Sequence, residues 1–206
     1  MKKSILLISL AVLPLFGYSQ NVLPDWALGG FVRPEKANPI ITPNPSNQFD
    51  CPMQDKKIGW EESDVFNPAA TVKDGKIYVL YRAEDNSATG IGLAESEDGI
   101  HMKRRKTPVM YPDKDNMKEY EWEGGCEDPR VTMTEDGLYV MAYTSWNRKV
   151  ARLCIATSHD LVKWEKHGPA FAKAYNGRFK DIFCKSGSMV TTIKDGKQVL
   201  TKIDGK

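Results

Sequence analysis

Histidine and cysteine are scarce: the 206-residue chain has 3 His and 4 Cys. His101, His159 and His167 lie in turn-like stretches and no two have metal-ligand spacing, so no metal is expected. Cys51, Cys126, Cys154 and Cys184 match no zinc pattern. Cys126 and Cys154 sit inside regular-looking segments, which predicts free, mostly buried thiols. No block of like charge dominates either. Lys and Arg number 29 against 27 acids, a net charge of +2, which offers nucleic acid little to bind. The run Lys103-Arg104-Arg105-Lys106 reads as an exposed turn. Also missing is any apolar run of the roughly 20 residues a transmembrane helix needs. No segment carries a sustained 3.6-residue apolar period. These absences argue against metalloenzymes, nucleic-acid binders, membrane spans and helical bundles.

What apolar run there is stands at the start. Lys2 and Lys3 precede Ile5 to Phe16, and Gly17-Tyr18-Ser19 follows with small residues at the −3 and −1 positions. That is the pattern of a cleavable export signal over residues 1–19. No cysteine follows closely, so no lipid anchor is expected. The mature chain is read as starting at Gln20 or Asn21, exported to the periplasm or secreted, with no membrane association after cleavage. Disulfides are permitted in that compartment. The remainder is long enough for one domain with a sizeable core.

The mature chain reads as all-β. "KIYVLYRA" (76–83), "GLYVMAYTS" (137–145) and "ARLCIATS" (151–158) are aromatic and β-branched runs separated by Asp-Gly or similar turns. Residues 20–60, rich in Pro and Asn, read as an extended lead-in. Residues 61–206 then repeat. The pairs Asp74-Gly75, Asp136-Gly137 and Asp195-Gly196 are spaced by 62 and then 59 residues, and Ala94-x-Ser96-x-Asp98 returns 62 residues later as Ala156-x-Ser158-x-Asp160. Several strands and turns per period predict β-propeller blades; an open β-sandwich is the other arrangement such patterning allows. About two and a half to three units cannot close a ring, so the chain is expected to be the N-terminal part of a larger propeller.

Residues at the same phase of successive blades face the same place. Asn67, Asp128 and the Ser186–Ser188 stretch share that phase, just ahead of the inner strand, so a convergent polar site is expected at a channel mouth. "EGGCEDPRV" (123–131) supplies it with Glu127, Asp128 and Arg130. Glu127 could raise the Asp128 carboxyl by like-charge repulsion while Arg130 opposes it; alternatively these residues form a structural ion pair closing a blade. Arg82 ends an inner-strand pattern, where an unpaired guanidinium is expensive to bury, and it fits a sugar hydroxyl or a neighbouring carboxylate. Tyr143 and Trp146 are candidates for an aromatic sugar platform, and Trp164 reads as packing.

In order and spacing, "NPI" (38–40), "FNPAATVKDGKIYVLYRA" (66–83), "GIGLAESEDGI" (90–100), "GGCEDPRV" (124–131) and "ATSHDLVKWEKHGPAF" (156–171) resemble glycoside hydrolase family 130, the mannoside phosphorylases and β-mannosidases. The resemblance implies a five-bladed propeller and a mannose-containing oligosaccharide as partner. It implies that Asn67 and Arg82 hold the mannose at the cleaved bond. Asp128 matches the aspartate that serves the phosphorylases as general acid, acting through the sugar 3-hydroxyl while phosphate attacks the opposite face with inversion. In the hydrolases that aspartate binds sugar, and glutamates expected beyond Lys206 do the acid and base work. No cofactor is implied; inorganic phosphate would be a co-substrate in a phosphorylase. The phosphorylases commonly follow "KD" with an apolar "LFP" segment, whereas Lys180-Asp181 here precedes Ile182 to Gly187. The expected reaction is inverting hydrolysis of β-1,2- or β-1,4-mannosides, because an exported phosphorylase would release mannose 1-phosphate where the cell gains little from it. Phosphorolysis, and a non-catalytic mannoside-binding propeller fragment, are the alternatives.

Overall fold

A computed structural model of the chain describes residues 30–205. The predicted export signal, residues 1–19, lies outside the described residues. The lead-in does not stay extended through residue 60 as its composition suggests. Strands β1 (Phe49–Cys51) and β2 (Lys56–Ile58) pair as an antiparallel hairpin. Cys51, Ile58 and Trp60 then join Tyr81, Ala83 and Tyr111 in an apolar cluster. Strands of three residues are too short to show a period of two, so this hairpin left little trace in the pattern.

The repeat becomes two successive antiparallel meanders. The first is β3 (Asp64–Lys73), β4 (Lys76–Glu84), β5 (Thr89–Ser96) and the short β6 (Lys103–Arg104). One helical turn, α1 (Lys118–Glu121), leads into the second. That unit is β7 (Gly125–Met133), β8 (Tyr139–Trp146), β9 (Ala151–Ser158) and β10 (Glu165–Pro169). A hairpin of β11 (Thr191–Lys194) and β12 (Lys197–Leu200) opens the third. Single parallel bridges, Thr89 to Gly125 and Met133 to Val199, join one unit to the next.

Asp-Gly chemistry sets two of the hairpins. Asp74 (φ 50°) and Gly75 (φ 75°) are both left-handed between the paired Lys73 and Lys76, as are Asp195 and Gly196 between Lys194 and Lys197. A two-residue turn with both φ positive matches the twist of the strands it joins. Asp136-Gly137 makes a different turn. Only Gly137 is left-handed, in a longer loop where the Thr134 hydroxyl accepts the Leu138 N–H at 2.9 Å.

The Ser-x-Asp repeat is a second shared turn. Ser96 Oγ accepts the Gly99 N–H while Asp98 caps the Ile100 and His101 N–H groups. Ser158 and Asp160 do the same for Leu161, Val162 and Lys163. These carboxylates satisfy local backbone and are not aimed at the site.

Each of the first two units also buries one carboxylate with a tyrosine and a cation. Glu61, with no exposure, accepts the Tyr81 hydroxyl at 2.8 Å and Arg104 Nη1 at 3.3 Å. Glu121, equally buried, accepts the Tyr143 hydroxyl at 2.8 Å and Lys166 Nζ at 2.5 Å. The expected exposed turn at 103–106 therefore fails at Arg104, whose guanidinium is tied to a buried acid. Between the units, Leu80, Ile91 and Leu93 pack with Cys126, Met141, Cys154 and Leu161. All four thiols are free, and Cys51, Cys126 and Cys154 are buried. Trp164 packs as expected, its indole N–H donating to the Leu161 carbonyl at 3.0 Å.

Candidate active site

Two β-bulges carry the site. The β3–β4 register slips between Phe66 and Ala69, and the β7–β8 register slips between Glu127 and Arg130. The residues absorbed are Asn67-Pro68 and Asp128-Pro129. Proline has no N–H to lose from a ladder, so a bulge tolerates it. Asn67 (φ 47°) and Asp128 (φ 51°) are left-handed, a conformation Asn and Asp visit more readily than other side-chain-bearing residues. Such strain, about 1–3 kcal/mol per residue, tends to collect at functional sites. Ser186, at the same phase of the third unit, is also left-handed (φ 59°).

The bulges aim Asn67 and Asp128 at each other across the unit boundary. Asn67 Nδ2 donates to Asp128 Oδ1 at 2.7 Å. Arg82 lies near the end of β4, opposite Phe66, in the 76–83 run where the sequence placed it. Its guanidinium sits 4.5 Å over the Phe66 ring. From there it reaches Asp128 Oδ1 at 3.4 Å, Glu127 Oε1 at 3.1 Å and Glu84 Oε2 at 3.4 Å. Its Nε is buried and has no partner. Lys185, from the segment ahead of β11, places Nζ 3.6 Å from Asp128 Oδ2.

Charge in this cluster divides the two acids in the opposite sense to the one the adjacent pair suggests. Burial pushes the Asp128 carboxyl up, but the Asn67 hydrogen bond, Arg82 and Lys185 outweigh it and hold the group below the usual range. Glu127 goes the other way: burial raises it, and Asp128 adds to the rise more weakly than Arg82 opposes it. Asp128 is thus the fixed anion and Glu127 the more readily protonated neighbour.

Gly124 and Gly125 allow close approach at this point. A Cβ on Gly124 would meet Trp146 Cδ1 at 2.2 Å, and one on Gly125 would meet Thr89 Oγ1 at 2.2 Å. The pair lets β7 start tight against β8 and β5, which seats Glu127 beside Thr89.

Asn67, Arg82, Glu127, Asp128 and Trp146 are brought to one region. Two expected site residues are not. Tyr143 is fully buried with its hydroxyl committed to Glu121, so it is core and presents no sugar platform. Arg130 donates to the Pro129 carbonyl at 2.8 Å and makes no ion pair with Glu127 or Asp128. Arg82 takes the balancing role expected of Arg130, because the bulge turns residue 130 away from its two neighbours. Glu84 and Lys185 were missed. Glu84 follows Arg82 by two positions and so shares its strand face. Lys185 immediately precedes the third left-handed position.

The model of glycoside hydrolase family 130, described as beta-1,4-mannooligosaccharide phosphorylase, matches residues 31–206. A 1,2-beta-oligomannan phosphorylase from Thermoanaerobacter sp. (strain X514) is 34% identical over 141 residues, 63% of this chain and 42% of that protein. A solved structure described by the words "The GH130 family of mannoside phosphorylases contains glycoside hydrolases that target beta-1,2 mannosidic linkages in Candida mannan" superposes with a TM-score of 0.87. It is 59% identical, over 90% of this chain and 54% of that one. A glycosyl hydrolase from Bacteroides ovatus superposes with a TM-score of 0.87 at 56% identity, over 89% of this chain and 53% of that one. The chain spans about half the length of these relatives. It belongs to glycoside hydrolase family 130.

Proposed function

We propose that this chain is the substrate-gripping half of an exported enzyme, periplasmic or secreted, that hydrolyses β-1,2-linked mannooligosaccharides with inversion. In the whole protein the two units and the opening hairpin become the first blades of a five-bladed propeller. The observation that carries the reading is Asp128 itself. It is a nearly buried carboxylate kept ionised by Asn67, Arg82 and Lys185, displayed on a strained bulge beside the boundary between units.

Inverting cleavage needs one proton donor and one activated nucleophile on opposite faces of the sugar. A donor works best with its pKa near the working pH. Asp128 is held away from that condition and fits better as the acceptor of a mannose hydroxyl, with Arg82 and Asn67 fixing its orientation. That division agrees with hydrolysis, where the acid and base come from elsewhere in the protein. Identity favours the same side. The structure whose description speaks of hydrolases is 59% identical to this chain where the two align, against 34% for the oligomannan phosphorylase.

Phosphorolysis is the second reading, supported by the phosphorylase names of the Thermoanaerobacter relatives. The full-length enzyme is incubated with β-1,2-mannobiose in the presence and absence of inorganic phosphate. Hydrolysis gives free mannose in both. Mannose 1-phosphate formed only with phosphate would overturn the proposal in favour of phosphorolysis.

A further inference from the structure

Asp128 is met by Asn67 from β3, by Arg82 from β4 with Glu84 paired to it, by its neighbour Glu127, and by Lys185. All of these but Lys185 stand in strands. Residues 182–190 belong to no strand, helix or turn. Something other than a ladder therefore brings Lys185 Nζ to 3.6 Å from Asp128 Oδ2. We propose that Arg152 is a positioning residue: it grips Asp181 and so fixes the strap of residues 181–187 that carries Lys185 to Asp128. The inference rests on the mannoside reading above for what Asp128 binds, and adds how part of its charge environment is held in place.

Arg152 is placed to hold a partner. It lies on β9 in register with Ser145 of β8 and is only 8% exposed. A buried guanidinium is costly unless its donors are used. Nη1 donates to the Val150 carbonyl at 3.3 Å, while Nε and Nη2 converge on Asp181 Oδ1 at 3.1 and 2.8 Å. The guanidinium carbon sits 5.1 Å from the centroid of the Tyr120 ring, and Lys180 Nζ, one residue before Asp181, sits 5.4 Å from the same ring. Isolated surface pairs contribute little. Here the cation is buried, and its planar fork fixes direction as well as distance.

From Asp181 the strap runs back along the start of β9. Phe183 packs on Trp146 with 6.3 Å between ring centroids, and the Cys184 N–H donates to the Ala151 carbonyl at 3.0 Å. Gly187 lies so close to Leu153 that a Cβ would meet Leu153 Cδ2 at 2.3 Å. Residues 151, 152 and 153 of one strand thus hold residues 184, 181 and 187. Lys185 leaves the strap between two of these holds, just before the left-handed Ser186 (φ 59°). One backbone bond and one glycine contact would let the strap pivot; the Arg152 fork removes that freedom.

The test is carboxyl NMR titration of Asp128 in the aspartate-labelled full-length protein, with the acid limb of β-1,2-mannobiose affinity read beside it by calorimetry. Lys185 lowers the Asp128 pKa, so Lys185→Met should make the carboxyl titrate higher. Arg152→Met should move it the same way. Arg152→Lys, which keeps a donor but not the fork, should move it less. The double variant Arg152→Met/Lys185→Met should titrate where Lys185→Met does. An Arg152 that acted directly through space, or only on general stability, would still matter once Lys185 is gone. Asp181→Ala removes the grip from its exposed end and guards against a folding defect in Arg152→Met. It should repeat the result, alone and with Lys185→Met. An unchanged titration in both Arg152→Met and Asp181→Ala, or a further rise in the double variants, overturns the proposal. Failure of the underlying mannoside reading looks different: the titrations move in this order, but mannobiose binds at no pH or its affinity does not follow them.

Discussion

Asn67 and Asp128, 61 residues apart in the chain, occupy the same phase of successive units, share a left-handed backbone and are joined by a 2.7 Å hydrogen bond. One repeated position has thus become two halves of one contact, an amide facing a carboxylate. Asn67→Gly keeps the backbone permissive and removes only the amide. In that variant the Asp128 carboxyl should titrate higher, and mannoside affinity should fall roughly 10- to 150-fold, in line with about 1.5–3 kcal/mol for a hydrogen bond to a charged group. Asn67→Ala should in addition lose about 1–2 kcal/mol of stability to left-handed strain. Carboxyl NMR titration and urea unfolding separate the two effects. Equal unfolding midpoints for the Gly and Ala variants would remove the strain argument.

Asp128 and Glu127, adjacent in sequence, should shape stability against pH in opposite senses. The folded pKa of Asp128 lies below its unfolded value near ~3.9. The stability it contributes is present above that value and lost as pH falls through the folded one. Glu127 has a folded pKa above its unfolded value near ~4.3, so its contribution is present in acid and lost as pH rises through the raised pKa. The deficit of Asp128→Asn relative to wild type should therefore hold from neutrality down to about pH 4 and shrink below it. That of Glu127→Gln should shrink as pH rises from about 4 towards 7. Urea unfolding from about pH 2 to 7 spans both windows; slopes of the same sign would show that the two carboxyls are not divided as described.

The sequence made some of this legible and hid the rest for physical reasons. The repeat located Asn67, Asp128 and the Ser186 stretch, because turns and bulges use few residue types and return at fixed spacing. It could not say which side of a strand faces the core, so Tyr143 and Trp146, three apart on β8, looked alike as platforms. The structure sends one to Glu121 and the other to a cavity beside Arg82. Arg82 was found, near the end of the 76–83 run that forms β4. The buried trios escaped notice because each draws its cation from far along the chain, Arg104 from 43 residues beyond Glu61 and Lys166 from 45 beyond Glu121.

Those trios carry the third prediction. Tyr143→Phe should cost about 1.5–3 kcal/mol of stability, since it takes a donor from a buried carboxylate, and leave mannoside affinity unchanged. Lys166→Met should cost about 3–5 kcal/mol, because it strands the Glu121 charge. Lys166→Arg should be far milder, since Arg104 does the same work in the first unit. Thermal unfolding beside calorimetric binding reads all three. A large loss of sugar affinity in Tyr143→Phe at intact stability would return Tyr143 to the site.

Leu161 sets two energies against each other at one residue. It follows the Ser158-x-Asp160 turn where Gly99 follows Ser96-x-Asp98, and both are left-handed, at φ 67° and 77°. The second unit keeps a leucine there because its side chain is fully buried in the core between the units. Leu161→Ala removes that packing, about 2–5 kcal/mol, but keeps the strain of a Cβ at positive φ. Leu161→Gly gives up a further methyl, worth about 0.8 kcal/mol, and releases strain of about 1–2 kcal/mol. The glycine variant should therefore be as stable as the alanine variant or slightly more so, the reverse of their order in ordinary strand or helix positions. Urea unfolding of the pair decides it. If glycine proves clearly the worse, burial alone holds this turn and the left-handed φ costs leucine little.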